Sequence, residues 1–231
     1  MANIHNNEIS VEDLLSKCKT GDLLLFNTRK HWYDFLIEKF TKSKFSHVGM
    51  IVRDISCLDC SNIGICMLEA GYEDFTDVVD NKHIYGVQLS NLKEVLSTYA
   101  LCNYNNKDDV KQNGRATGRS GYVYYRALDC ARDASFDRIT REKITTVYEK
   151  PYDLLPQDWI KSAFHIETGN ERRMRTFWCS ALVAYMYDMY GFINRQTHWT
   201  IIQPTQFSYY EGNELEFSTD IKLSPEILVR Q

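Results

Sequence analysis

A β-branched, apolar run of this chain opens with a histidine: Ser46-His47-Val48-Gly49-Met50-Ile51-Val52. The run predicts a buried strand, in which alternation places His47, Gly49 and Ile51 on one face. Gly49 has no side chain and leaves room beside the imidazole for a neighbour or a substrate. A histidine in such a strand is either a core residue with its hydrogen bonds satisfied or the base of a reactive site. Taken alone, His47 favours the core interpretation.

Two later stretches supply a carboxylate and a thiol. The stretch Met67-Leu68-Glu69-Ala70 places Glu69 on another apolar strand, where an unpaired charge would be costly, so a histidine, lysine or arginine partner is expected. The stretch Trp178-Cys179-Ser180-Ala181-Leu182-Val183 places Cys179 where a helix begins. A thiol in the first turn lies at the positive end of the helix dipole, which favours the thiolate. A buried structural cysteine is the alternative interpretation.

Together, a cysteine, a histidine and a carboxylate are the parts of a cysteine nucleophile site. The thiolate attacks, the imidazole holds the transferred proton, and the third group orients the imidazole. The order is unusual, because His47 precedes Cys179, whereas the papain-type signature places the cysteine near the mature N-terminus. If these residues meet in space, the chain is a circularly permuted version of that site.

Length and composition describe an ordinary globular chain. Its 231 residues are enough for one substantial core, and we predict a single domain over 1–231. Apolar residues make up 44% and charged residues 25%, which excludes wholesale disorder. The net charge of −4 and the isoelectric point near 5.9 argue against nucleic acid as the main partner.

The cysteine count and the first residues bear on the compartment. Seven cysteines, an odd number, and a polar start without a signal peptide predict a cytoplasmic protein with reduced thiols, in a virion or host cytoplasm if the chain is viral. The most apolar stretch, 177–192, is shorter than a membrane span and contains Asp188, so no transmembrane segment is predicted. Peripheral contact with a membrane and the oligomeric state stay open.

The pattern of apolar residues predicts the elements of the fold. A capping box at Ser10 opens a short helix over about 10–20. The predicted strands lie at 22–26, 45–52, 63–70, 85–89 and 122–126, and further helices at 32–40, at 136–147 and from Cys179 onward. The polar, glycine-bearing segment 103–119 is predicted as a loop insertion. Strands in the middle and helices around them favour an α+β fold with a mostly antiparallel sheet.

The order of these motifs resembles the permuted branch of the NlpC-type papain-like cysteine hydrolase superfamily. Within it, the chain is similar to the YiiX-like group and its poxvirus relatives, and more distantly to the lecithin retinol acyltransferase group. The stretches that carry the resemblance are Thr20-Gly21-Asp22-Leu23-Leu24-Leu25-Phe26, Ser46-His47-Val48-Gly49-Met50-Ile51-Val52, Leu68-Glu69-Ala70, Lys150-Pro151-Tyr152-Asp153 and Trp178-Cys179-Ser180-Ala181-Leu182-Val183, with Pro204 and Phe207 after them.

The resemblance implies a fold, a chemistry and a site. The fold would be a small antiparallel sheet packed on the cysteine helix, circularly permuted with respect to papain. Cys179 would be the nucleophile, His47 the general base and Glu69 the orienting third member. The substrate would be a peptide, an amino-acid amide or a lipid-type acyl compound, and the chemistry needs no metal or organic cofactor.

Several alternatives stay open at this stage. Residues 54–64 lengthen the loop before the glutamate strand, so Asp74 and Asp77 remain alternatives to Glu69. The chain could be a thiol-dependent amidase or peptidase, a catalytically silent partner-binding module on the same scaffold, or a lipid acyltransferase. The Cys57-Leu58-Asp59-Cys60 stretch lacks the second cysteine pair of a typical zinc site, so reduced thiols or a facultative disulfide are favoured there.

Overall fold

The computed structural model describes residues 7–28, 45–99, 121–152, 177–194, 198–210 and 214–230. The strands within these ranges are β1 (Glu8–Ser10), β2 (Leu23–Thr28), β3 (His47–Arg53), β4 (Ile65–Thr76), β5 (His83–Asn91), β6 (Gly121–Arg126), β7 (Leu128–Asp129), β8 (Lys222–Leu223) and β9 (Ile227–Arg230). The α-helices are α1 (Val11–Lys17), α2 (Leu92–Tyr99), α3 (Ala134–Val147) and α4 (Cys179–Met189), and two 3-10 helices follow at Trp199–Ile201 and Pro204–Phe207.

One large sheet contains most of the described strands. Its seven strands run in the order β1-β9-β6-β2-β3-β4-β5, and β7 pairs separately with β8. All neighbours in the large sheet are antiparallel except β1 and β9, which are parallel. The predicted α+β class with a mostly antiparallel sheet is therefore confirmed. The expected small size is wrong, because β1 and β9, in the first and last described segments, extend the sheet beyond β6. Both strands are too short to show an alternating pattern.

The elements follow local sequence signals closely. All five predicted strands are present, and β4 and β5 extend beyond the predicted bounds. The short first helix begins where expected, with the Ser10 side chain accepting the Asp13 N–H. Helix α2 was not predicted, because it follows β5 without an intervening turn. The helix predicted at 32–40 and the loop predicted at 103–119 lie outside the described residues.

Helices cover both faces of the sheet. Alternate strand residues such as Leu25, Val48 and Leu68 pack with α3 and α4 in one core. The residues between them, such as Leu24 and Met67, pack with α1 and α2 in a second core. Helix α4, which carries the cysteine, contacts β3 and β4. Among the described helices, none combines the length and apolar character needed to cross a membrane.

A buried carboxylate anchors the start of β2. Asp22 accepts hydrogen bonds from the backbone N–H groups of Lys19 and Leu128, from the Tyr125 hydroxyl at 2.6 Å and from the Arg132 guanidinium at 2.9 Å. Burial raises the pKa of Asp22, and these hydrogen bonds act in the opposite direction. The anchor joins β2 to β6 and to the segment before α3, and so fixes the strand that lies beside β3.

Candidate active site

His47 begins β3 and contacts Glu69 on the neighbouring strand. In the antiparallel register, Met50 pairs with Leu68, so Glu69 lies on the His47 side of that pair. The imidazole Nε2 is 2.8 Å from Glu69 Oε2. The His47 side chain keeps 23% of its surface exposed and that of Glu69 only 7%, so the carboxylate lies behind the ring. The partner that Glu69 needed is therefore a histidine.

Cys179 is the first residue of α4 and the second polar neighbour of the His47 ring. The preceding residue, Trp178, is extended and caps the helix, and the Cys179 side chain is buried at its N-terminal end. Burial by itself lowers the pKa of His47, but the charge and hydrogen bond of Cys179, together with those of Glu69, raise it. The net pKa of His47 lies well above the ordinary value of 6.5. The structure thus brings together the three residues that the sequence singled out.

The contacts of the ring define the roles of its two nitrogens. An ionised carboxylate only accepts hydrogen bonds, so Nε2 carries a hydrogen and donates it to Glu69. Nδ1 is then the nitrogen that remains for the thiol. The order thiol, imidazole, carboxylate is the one that moves a proton from a nucleophile to a base and holds the base in place.

Two further polar residues contact Glu69 from β5. Glu69 Oε1 accepts a hydrogen bond from the Ser90 hydroxyl at 2.7 Å and from Gln88 Nε2 at 3.3 Å. Gln88 pairs directly with Glu69 in the sheet, and Ser90 pairs with Met67, so all four side chains share one face. Sequence analysis missed Gln88 and Ser90. Their signal is two polar residues, two apart, inside the buried part of an apolar strand.

Two glycines leave space around the site. A Cβ at Gly71 would lie 3.3 Å from Glu69 Oε2, so a larger residue there would press on the carboxylate. A Cβ at Gly49 would lie 2.6 Å from the Met67 side chain. The room expected beside the imidazole at Gly49 is therefore filled by Met67, and a substrate does not occupy it.

Asp77, one of the two alternative carboxylates, contacts other groups than His47. Asp77 is buried and accepts hydrogen bonds from the backbone N–H groups of Val79 and Leu89 and from the Tyr148 hydroxyl. Its oxygens thus order the turn between β4 and β5. Nothing is described of the Asp74 side chain. Within the described residues, Glu69 is the carboxylate brought to His47.

The remaining described cysteines differ from Cys179 in their surroundings. Cys57 and Cys60 face each other across a tight turn, with the Cys60 N–H donating to the Cys57 carbonyl at 2.9 Å. Burial raises the pKa of Cys57 and raises that of Cys66 to about 12, which makes both poor nucleophiles at neutral pH. In the parts of the chain that the structure describes, no group of three or more His, Cys, Asp and Glu side chains is arranged to hold a metal ion.

Comparisons with known proteins give little beyond this geometry. No protein-family model matches the chain, and no curated protein matches it in sequence. Five chains among the solved structures match it. One is the crystal structure of the metalloprotein YiiX from Escherichia coli O157:H7, at 15% identity and a TM-score of 0.46, covering 91% of this chain and 98% of that chain.

Proposed function

We propose that this chain is a cysteine hydrolase that cleaves an amide or ester bond through an acyl-enzyme. Cys179 is the nucleophile, His47 the general base and acid, and Glu69 the group that orients the imidazole. One observation carries the proposal: the His47 ring lies between a helix-terminal thiol and a carboxylate, with Nε2 2.8 Å from Glu69 Oε2. The substrate class expected from the sequence is a peptide or amino-acid amide.

The reaction follows from the order of these groups. His47 Nδ1 takes the thiol proton, and the sulfur attacks the substrate carbonyl to form a tetrahedral intermediate. The first-turn N–H groups of α4 have no partner within the helix and face the developing oxyanion. The intermediate expels the amine or alcohol, which receives the proton from His47. Water, deprotonated by His47, then attacks the thioester and releases the acid and the free thiol.

Glu69 acts on the imidazole and takes no proton in this scheme. Its carboxylate holds the Nε2 hydrogen, which leaves Nδ1 free for the thiol proton. It also stabilises the imidazolium that forms when that proton moves. The raised pKa of His47 agrees with this, because Cys179 and Glu69 both favour the charged ring.

The proposal is tested by the rate at which each cysteine reacts with iodoacetamide, read by peptide mass spectrometry at several pH values. We expect Cys179 to react fastest near neutral pH and to lose that advantage in His47→Ala. Cys60, which is partly exposed and has no histidine partner among its described contacts, is the internal reference. A Cys179 rate that does not exceed the Cys60 rate would contradict the hydrolase.

The burial of Cys179 favours a second candidate, a catalytically silent module that binds a partner protein. The residue is only 3% exposed, whereas a nucleophile must reach its substrate. A silent module would show a slow, His47-independent thiol. A third outcome, acyl transfer to an acceptor other than water, shares the covalent step and is recognised by products formed with added alcohols or amines.

A further inference from the structure

The Glu69 carboxylate receives more hydrogen bonds than its contact with His47 requires. Oε2 faces the imidazole at 2.8 Å, while Oε1 accepts from Ser90 at 2.7 Å and from Gln88 at 3.3 Å. As whole residues, Ser90 is 0%, Gln88 1% and Glu69 5% exposed. Solvent access to this carboxylate is therefore low, and the three donors converge on it inside the sheet.

Gln88 shows that this arrangement has a local cost. Its Oε1 is buried and has no hydrogen-bond partner among the described residues, an uncommon state for a polar atom in a protein interior. Rotating the amide would turn its oxygen towards Glu69 Oε1, where two acceptors would repel each other. The carboxylate therefore determines the orientation of the amide. An apolar residue at this position would avoid the unpaired oxygen but would remove a donor from Glu69.

We propose that Ser90 and Gln88 are positioning residues that hold the Glu69 carboxylate against His47. This inference rests on the proposed function and adds the reason why Glu69 can orient the imidazole. With Oε1 held by two donors from β5, the carboxylate cannot turn about its terminal bond, so Oε2 stays on the Nε2 hydrogen. The ring is thereby kept in the tautomer whose Nδ1 accepts the thiol proton.

The test needs a matched control, which the chain supplies. Ser208 also donates its hydroxyl to a buried glutamate, at 2.5 Å from Glu226 Oε1. Glu226 directly precedes β9 and lies away from the site strands β3, β4 and β5. Ser208→Ala removes the same kind of hydrogen bond as Ser90→Ala. A purely structural effect of losing a buried serine bond would appear in both variants.

The experiment follows the His47 ring directly, by an NMR titration of its Cε1–H signal in the full chain. Glu69 contributes to the raised pKa of His47, so a carboxylate that turns away lowers that pKa. We expect a lower His47 pKa in Ser90→Ala and in Gln88→Leu, and the wild-type value in Ser208→Ala. The same two site variants should slow iodoacetamide alkylation of Cys179 by about 10-fold.

The outcomes separate this inference from the proposed function. A His47 pKa in Ser90→Ala and Gln88→Leu that equals or exceeds the wild-type value overturns the positioning role, as does an equal fall in Ser208→Ala. If one of the two site variants does not fold, the other still tests the positioning role. An inert wild-type Cys179 overturns the hydrolase, and the His47 titration still reports whether Ser90 and Gln88 hold Glu69.

Discussion

At the scale of single residues, His47 has a different partner on each side of its ring. The charge and hydrogen bond of Cys179, together with those of Glu69, favour the charged imidazole and outweigh the effect of burial. The site is thus built to stabilise an imidazolium.

Replacing the carboxylate should slow the thiol chemistry. In Glu69→Gln, the side chain loses its charge and brings its own N–H group towards the donors His47, Ser90 and Gln88. We expect the alkylation rate of Cys179 at neutral pH to fall about 10-fold and the pKa of His47 to fall towards its ordinary value. Peptide mass spectrometry and the NMR titration measure the two effects. An unchanged rate would contradict the orienting role of Glu69.

The raised pKa of His47 also makes the stability of the folded protein depend on pH. Because the folded-state pKa lies above the unfolded value near 6.5, the folded protein holds the proton more tightly. This contribution is fully present below the unfolded pKa and is lost as the pH rises through the folded pKa. We expect the unfolding free energy of wild type relative to His47→Gln to decrease over that range in urea titrations. A difference that is constant with pH would show that the charge of His47 does not contribute.

At the scale of elements, the contact between β3 and β4 depends on a glycine facing a methionine. A Cβ on Gly49 would lie 2.6 Å from Met67 Cγ and Sδ, too close for either atom to stay in place. We expect Gly49→Ala to destabilise the protein by about 1–3 kcal/mol, because the added methyl group overpacks the core between the strands. Urea unfolding measures the loss.

A double-mutant cycle tests whether Met67 is the cause. Met67→Ala alone should cost about 2–5 kcal/mol, because it leaves a cavity. In the double variant, the methyl group at position 49 enters the space left by Met67. The loss of unfolding free energy should therefore be smaller than the sum of the losses in the two single variants. Strict additivity would show that the two side chains do not compete for the same space.

At the scale of the whole molecule, Asp22 ties distant parts of the chain to the start of β2. All four of its partners donate hydrogen bonds, so Asp22→Asn places an NH2 group against two donors and removes the charge that faces Arg132. We expect a loss of about 3 kcal/mol in the unfolding free energy.

Glu142→Gln is the comparison for Asp22→Asn. Glu142 forms ion pairs with Arg138 and Lys143 on the exposed face of α3, and its side chain is 51% exposed. Surface ion pairs of this kind contribute little to stability, so the unfolding midpoint of Glu142→Gln should stay near that of wild type. Equal effects of the two substitutions would contradict the anchoring role of Asp22.

Local patterns predicted most elements and, together with the family resemblance, the three candidate site residues. The β-branched runs around His47 and Glu69 form strands because alternation and burial act over a few neighbouring residues. Cys179 begins a helix because the apolar spacing starts immediately after it. The catalytic roles of these residues and the extent of the single domain stay predictions.

Contacts between distant segments were decided only by the tertiary structure. The pairing of β1 with β9, the choice of Glu69 over Asp77 and the contact of Ser90 and Gln88 with Glu69 cannot be derived from a local window of sequence. Strand register sets which side chains face each other, and register depends on packing across the whole sheet. The sequence therefore identifies the candidate thiol, imidazole and carboxylate, whereas the contact between them depends on the complete fold.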